Sequence, residues 1–245
     1  MLIYRGLAGS QLYGTATPES DIDYIEVHLP TLAQIFGLGD KYASFKQTLG
    51  EEDISRFGVN QFMRLLARGN PNALETMFCP ENRIEYIHPS FRRLIAGEEQ
   101  TMSGVAAILR KTSVVKAHLG FAIQQSGKML PAKAKYAGPR RTALFDKYGY
   151  DTKYAAHAIR LVYQCRQLLQ DGYIEYPYPQ SMIDHLLKIR NGERLLVSVR
   201  EEFARELTIV QEIGQTQCVI TDDDKSDVIN QRLLQFYIDI GYALG

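Results

Sequence analysis

A chain of 245 residues with 28 Lys and Arg against 28 Asp and Glu carries a formal net charge of zero. No global cationic field marks it as a nucleic-acid binder, so any such contact has to come from a local patch. With 45% apolar and 23% charged residues, the composition is that of an ordinary globular protein rather than a disordered or fibrous one. Cys79, Cys165 and Cys218 are an odd count without metal-like spacing, and Cys165 lies in an apolar helical stretch, as a reduced core thiol would. No apolar run approaches the ~18 residues of a membrane span. No charged-then-apolar leader opens the chain, and a cytoplasmic protein without membrane contact is expected.

Leu2–Leu7 reads as a strand, and Ala8–Gly14 as a turn with a short helix. Thr15–Ser20 is turn-rich and delivers the chain to a strand over Asp21–Leu29. Residues i and i+2 of a strand share a face, which sets Asp21 and Asp23 side by side. Two like charges that close repel unless a cation lies between them, and a divalent metal is the usual one. Backbone N–H groups around Gly9 and Ser10, at a helix start, suit a phosphate. A phosphate cradle opposite a two-carboxylate clamp is the minimal kit for phosphoryl or nucleotidyl transfer.

Gly9-Ser10 followed by Asp21-x-Asp23 resembles the signature of the DNA polymerase β-type nucleotidyltransferase superfamily. The resemblance implies a third carboxylate on a neighbouring strand. Glu51–Phe57 alternates as a strand should, with Asp53 as the candidate, Glu51 on the same face as an alternative, and Glu52 on the other. Between the two strands, Thr31–Phe36 suits a short helix and Gly37–Gly50 a loop with an edge strand. One departure stands out: Gln11 follows the Gly-Ser, where the superfamily commonly has Arg or His, although Tyr13-Gly14 is present.

Asn60–Arg68 carries Phe62, Leu65 and Leu66 at helical spacing. Gly69, Asn70 and Pro71 then read as a C′ residue, an N-cap and a first-turn residue of the next helix, which continues through Ala73–Phe78. The whole string Gln61–Glu75, taken with the Gly-Ser/Asp-x-Asp opening, resembles the RlaP nucleotidyltransferases, a family associated by name with RNA repair. A short helix is expected from His88 to Leu94, and a long, largely buried one over Val105–Gln125. The segment Lys128–Arg141 holds Lys128, Lys133, Lys135, Arg140 and Arg141 against no acid. It reads either as a solvated loop or as an element touching substrate phosphates.

The helix Asp151–Gln170 is apolar except for Lys153, His157, Arg160 and Gln164, which fall on one narrow stripe. A stripe of cations facing a carboxylate centre would complement a triphosphate. The resemblance reaches this helix and continues to Asp171–Pro177 and Ile189–Glu193. Ser181–Ile189 and Leu195–Ile213 read as helices, and Asp222–Asp224 as the capped start of a last one.

The expected fold is α+β: a small N-terminal mixed sheet (residues 1–90, the nucleotidyltransferase unit) followed by a helical region (residues 91–245) completing the cleft. The expected reaction moves an NMP from an NTP such as ATP to an acceptor hydroxyl. Asp21, Asp23 and Asp53 would hold two Mg²⁺ ions, with Mn²⁺ as a substitute, and Asp53 would also serve as base. Gly9, Ser10, Lys153, His157 and Arg160 would bind the nucleotide. An RNA or other nucleic-acid end, a protein side chain and a small molecule are open as acceptors, and a non-catalytic nucleotide-binding protein is the rival reading.

Overall fold

The computed structural model describes residues 1–36, 38, 42, 44–96, 112–130, 139–217 and 223–241. Five strands form one mixed sheet: β1 (Leu2–Ala8), β2 (Ile22–His28), β3 (Phe45–Leu49), β4 (Glu52–Gly58) and β5 (Ile84–Ile87), in the order β3-β4-β2-β1-β5. Only β2 and β4 run parallel, and the other neighbours are antiparallel. The expected edge strand in the 37–50 stretch is β3, whereas β5 had no counterpart in the sequence reading. Asp21 stands one residue outside the β2 ladder, where the sequence had placed it inside. Glu51 likewise precedes β4.

Period-2 alternation sorts the two faces of β2. Ile25 and Val27 point into the core at 3% and 0% exposure, on the side of α3 (Val59–Ala67), while α4 (Pro71–Met77) packs on β1. Glu26 lies on the other face, held by Arg5, Arg56 and His28 at 2.7, 2.7 and 2.9 Å. Arg5 also reaches Glu52 and Glu85 and lies over the Tyr24 ring. That outer face is therefore a lattice of ion pairs rather than an apolar layer, which lowers the Glu26 pKa through His28, Arg5 and Arg56 despite its burial.

The turn between α3 and α4 follows its capping residues. Gly69 takes φ +66°, and the Asn70 side chain accepts a hydrogen bond from Asn72 N at 3.0 Å with Pro71 at the first helical position. Further helices are α1 (Gly9–Tyr13), α2 (Leu32–Phe36), α5 (Pro89–Ala96), α6 (Thr112–Lys128) and α7 (Pro139–Tyr148). They are followed by α8 (Thr152–Asp171), α9 (Gln180–Arg190), α10 (Leu196–Gln217) and α11 (Asp223–Asp239).

The helix α8 is the hub of the helical part, packed by α6, α9 and α10. Asp151 caps it by accepting from Tyr154 N, and Gly172 in the left-handed conformation ends it. Its Ala155, Ala158, Ile159, Val162 and Cys165 are fully buried, and Cys165 is a free thiol. The last helix, α11, returns to pack on α3 and α5.

Residues 105–111 of the expected long helix lie outside the described residues; within α6, Phe121 and Ile123 are exposed rather than buried. In the basic segment, Lys133 and Lys135 lie outside the described residues, as does Asp222 of the acidic run. Arg141 is on α7, where it pairs with Asp151 at 2.8 Å and donates to Lys128 O. Among the described residues, no helix is long and apolar enough to cross a membrane.

Candidate active site

The strand β1 ends in Ala8, and Gly9 turns the chain into α1 with φ +58°, a conformation open to glycine and strained for other residues. The same turn crosses the start of β2 so closely that a Cβ on Gly9 would stand 2.0 Å from Asp23 Oδ2. Backbone and carboxylate therefore meet there without an intervening side chain. One strand further, the parallel register pairs Asp23 with Asp53. Equivalent residues of parallel neighbours share a face, so the two carboxylates face the same side.

Burial, and next to it the Asp53 charge, pushes the Asp23 carboxyl above its usual pKa; Lys46 and Lys153 pull the other way. Asp53 accepts a hydrogen bond from Thr48 Oγ1 on β3 at 2.7 Å. Glu52, on the opposite face, is engaged by Arg5.

An open cleft of about 380 Å³ lies between this turn and the helices. Its sheet side is lined by Gly9, Ser10, Tyr13, Thr15, Glu19, Ser20, Asp21 and Asp23. Its helical side is Lys153, Ala156, His157 and Arg160 of α8 with Leu186 and Arg190 of α9. Of the residues singled out in the sequence, Gly9, Ser10, Asp21, Asp23, Lys153, His157 and Arg160 thus line one cleft. Asp53 is not part of its lining and stands beyond Asp23 on the next strand.

Three members of the α8 polar stripe, Lys153, His157 and Arg160, face the cleft, but they differ in chemistry. Arg160 is buried, with Nη1 on Glu75 Oε1 at 2.6 Å and its guanidinium 4.0 Å from the Tyr13 ring centroid. Tyr13 donates to the other Glu75 oxygen at 2.7 Å. This arginine is therefore already neutralised, and it ties α8 to α4 and to the end of α1.

Burial, then the nearby Arg160 charge, lowers the His157 pKa to about 3, so the side chain is a neutral imidazole at pH 7 and not the cation the stripe suggested. Gln164 is fully buried and donates to the hydroxyls of Tyr176 and Tyr178, away from the cleft. Lys153 is exposed at the cleft edge.

Two cations escaped the sequence reading. Arg190 stands at the C-terminal end of α9 and closes no ion pair among the described residues. It lies inside the Ile189–Glu193 block, which carried resemblance but no local pattern that assigns a role. Lys46 acts on Asp23 from β3, whose register with β4 brings Lys46 opposite Ser55.

Among the described residues, no three His, Cys, Asp or Glu side chains cluster closely enough to form a ready-made metal cage. The donor set nevertheless fits Mg²⁺. That ion takes oxygen ligands and is commonly held by one or two carboxylates plus substrate phosphates and water, without an all-protein cage. Asp23 and Asp53, adjacent and mutually repelling, supply such a pair, with Asp21 at the mouth of the cleft.

The chain is 31% identical over 86 residues to an uncharacterized 38.9 kDa protein encoded in the nrdC-mobD intergenic region of Enterobacteria phage T4. The match covers 32% of this chain and 26% of the phage protein, so this chain spans about a quarter of that relative's length. The family profile described as RlaP, RNA repair pathway DNA polymerase beta family, matches residues 1–232. The chain belongs to the RlaP family of DNA polymerase β-type nucleotidyltransferases.

Proposed function

We propose that this protein transfers an NMP from an NTP to an acceptor hydroxyl with Mg²⁺ bound, and that the acceptor is an RNA end. The observation that carries the reading is the placement of Gly9 against the Asp23 carboxylate, with Asp53 in register beside it and a cation-bearing helical wall across the cleft. The acceptor oxygen forms a bond to the α-phosphorus, the bridging Pα–O bond breaks, and pyrophosphate leaves. The acceptor proton goes to Asp53 or through it to water.

Asp21, Asp23 and Asp53 would hold the divalent cation, which supplies Lewis-acid stabilisation of the phosphate oxygens and lowers the pKa of the attacking hydroxyl. Backbone N–H groups at Gly9 and the Ser10 hydroxyl hold the outer phosphates. Lys153 is the mobile cation for charge developing on the leaving pyrophosphate. His157, neutral in the free protein, donates one N–H as a hydrogen bond. Arg160 acts at one remove, by fixing Tyr13 and hence the end of α1. Residues 1–90 supply the carboxylates and the phosphate turn, and residues 91–245 complete the cleft.

The family description, RNA repair pathway, favours an RNA end over a protein or small-molecule acceptor. Incubation with α-³²P-labelled NTPs and Mg²⁺, offered RNA, DNA and protein acceptors separately, tests the assignment. Label in RNA that disappears with Asp23→Asn supports it. Label in protein alone moves the acceptor assignment, and no transfer to any acceptor refutes the enzyme reading.

A further inference from the structure

A second cavity, about 600 Å³, lies further along α8, between that helix, Tyr178 and Pro179, α9 and α10. It shares a wall with the first: Tyr13 lines one cavity, Tyr178 lines the other, and their rings stack at 5.7 Å and 21°. Three arginines reach it from three elements. Arg166 of α8 uses Nη1 on the buried Glu206, at 2.7 Å, and Arg194 uses Nη2 on the buried Glu202, at 3.5 Å. Arg205 of α10 closes no ion pair among the described residues.

A guanidinium carries five N–H donors, so both paired arginines keep donors for a ligand. The Tyr163 ring stands under the Arg166 guanidinium at 5.0 Å. Gln167 and Gln170 add side-chain amides to the lining, and His185 adds an imidazole hydrogen-bonded to Glu202 at 2.6 Å.

Arginines interleaved with aromatic faces and side-chain amides are the equipment for phosphates, stacked bases and base edges together. The two cavities are offset along α8 as His157 is from Arg166, nine residues or about 14 Å at 1.5 Å each. A stacked strand covers that distance in about four nucleotides at about 3.4 Å each.

Resting on the function proposed above, we infer that the second cavity holds the acceptor strand about four nucleotides from its reactive end. There Arg205 and Arg194 take backbone phosphate and Tyr163 stacks on a base. Glu206 and Glu202, paired with Arg166 and Arg194, together with Asp171 of the lining offset the three arginine charges. Selection there therefore comes from geometry and stacking more than from bulk charge.

The test measures anisotropy of labelled single-stranded RNA of two, eight and twelve nucleotides without NTP, using wild type, Arg205→Glu and Gln170→Glu. Both positions are exposed on helix surfaces, so the fold is retained. Either variant is expected to weaken the eight- and twelve-nucleotide RNAs by about tenfold and to lower the salt slope by about one in Arg205→Glu. Binding of the dinucleotide should be unaffected. In transfer assays the KM for a long acceptor rises by a similar factor while the KM for NTP stays within twofold.

Unchanged RNA affinity in both variants overturns the inference. So does displacement of the twelve-nucleotide RNA by a mononucleotide, or binding of a peptide but no RNA. Failure of the underlying function reads differently: Arg205-dependent RNA binding persists while no acceptor is labelled.

Discussion

Gly9 and Asp23 are built against each other, since a Cβ on the glycine would fall 2.0 Å from Asp23 Oδ2 in a backbone conformation, φ +58°, that other residues adopt at a cost. The turn that would carry phosphate and the carboxylate that would carry metal are one structural unit, although thirteen residues separate them. Gly9→Ala is therefore expected to lose about 1–2 kcal/mol from the left-handed conformation alone, with more from the clash, and to abolish transfer. Because the clash is with a carboxylate, adding Asp23→Ala should recover part of the stability and none of the activity. Urea denaturation of the two single variants and the double variant measures the coupling.

Asp23 places function against stability. Its carboxyl pKa is raised by burial and by Asp53, so its ionised form is disfavoured in the folded protein relative to the unfolded chain. As pH rises through that pKa, this group subtracts from stability. Asp23→Asn is expected to raise Tm at pH 7.5 without divalent metal, while transfer falls by at least about a hundredfold, the scale of losing one electrostatic contact to the transition state. Mg²⁺ should raise the wild-type Tm and leave the variant's unchanged. A lower Tm for Asp23→Asn in metal-free buffer would contradict the repulsion described here.

Arg160 and Lys153, seven residues apart on the same stripe, should behave differently when truncated. Removing one partner of a buried ion pair leaves the other charge unpaired, at a cost of about 3–5 kcal/mol. Arg160→Ala and Glu75→Ala are both expected in that range, because the pair is buried and Tyr13 depends on it. Lys153→Ala touches an exposed side chain and should leave stability within about 0.5 kcal/mol, while raising the KM for NTP about tenfold. Thermal unfolding beside steady-state kinetics separates the two, and equal destabilisation by both variants would count against the distinction.

Much of this site could be read from local sequence. Gly9-Ser10 and Asp21-x-Asp23 are short-range patterns, and strand periodicity fixes which way Asp23 points. Period-3.6 spacing likewise put Lys153, His157 and Arg160 on one face of α8, where the structure has them. What could not be read depends on long-range pairing. Arg160 looked like a free cation because its partner, Glu75, is 85 residues away. Strand β5, four residues long, is defined by β1 some 80 positions earlier rather than by its own pattern. Arg190 reaches the cleft only because α9 packs on α8. The exposed Phe121 and Ile123 are the converse case, apolar residues that composition alone assigned to a core.

Acid should unfold this protein earlier than its carboxylates alone would. His118 is fully buried between α6 and α8, and burial, then Arg160, lowers its pKa to about 4. The unfolded chain takes up this proton near pH 6.5 and the folded one near 4, so stability falls as pH drops through that window. The slope is at most about 1.4 kcal/mol per pH unit for this group. Denaturation at pH 7, 6 and 5 should show the loss, and His118→Gln should flatten it. An NMR titration should find no His157 inflection above pH 5, given its pKa of about 3; an inflection near pH 6.5 would contradict the neutral imidazole.

The central claim is tested most directly by measuring pyrophosphate release and label incorporation in the same reaction, with α-³²P-NTP, Mg²⁺ and RNA. Nucleotidyl transfer at the Asp23–Asp53 pair predicts one pyrophosphate released per nucleotide incorporated, with both lost together in Asp23→Asn and Asp53→Asn. Release of inorganic phosphate without incorporation, or incorporation that survives both substitutions, would contradict it.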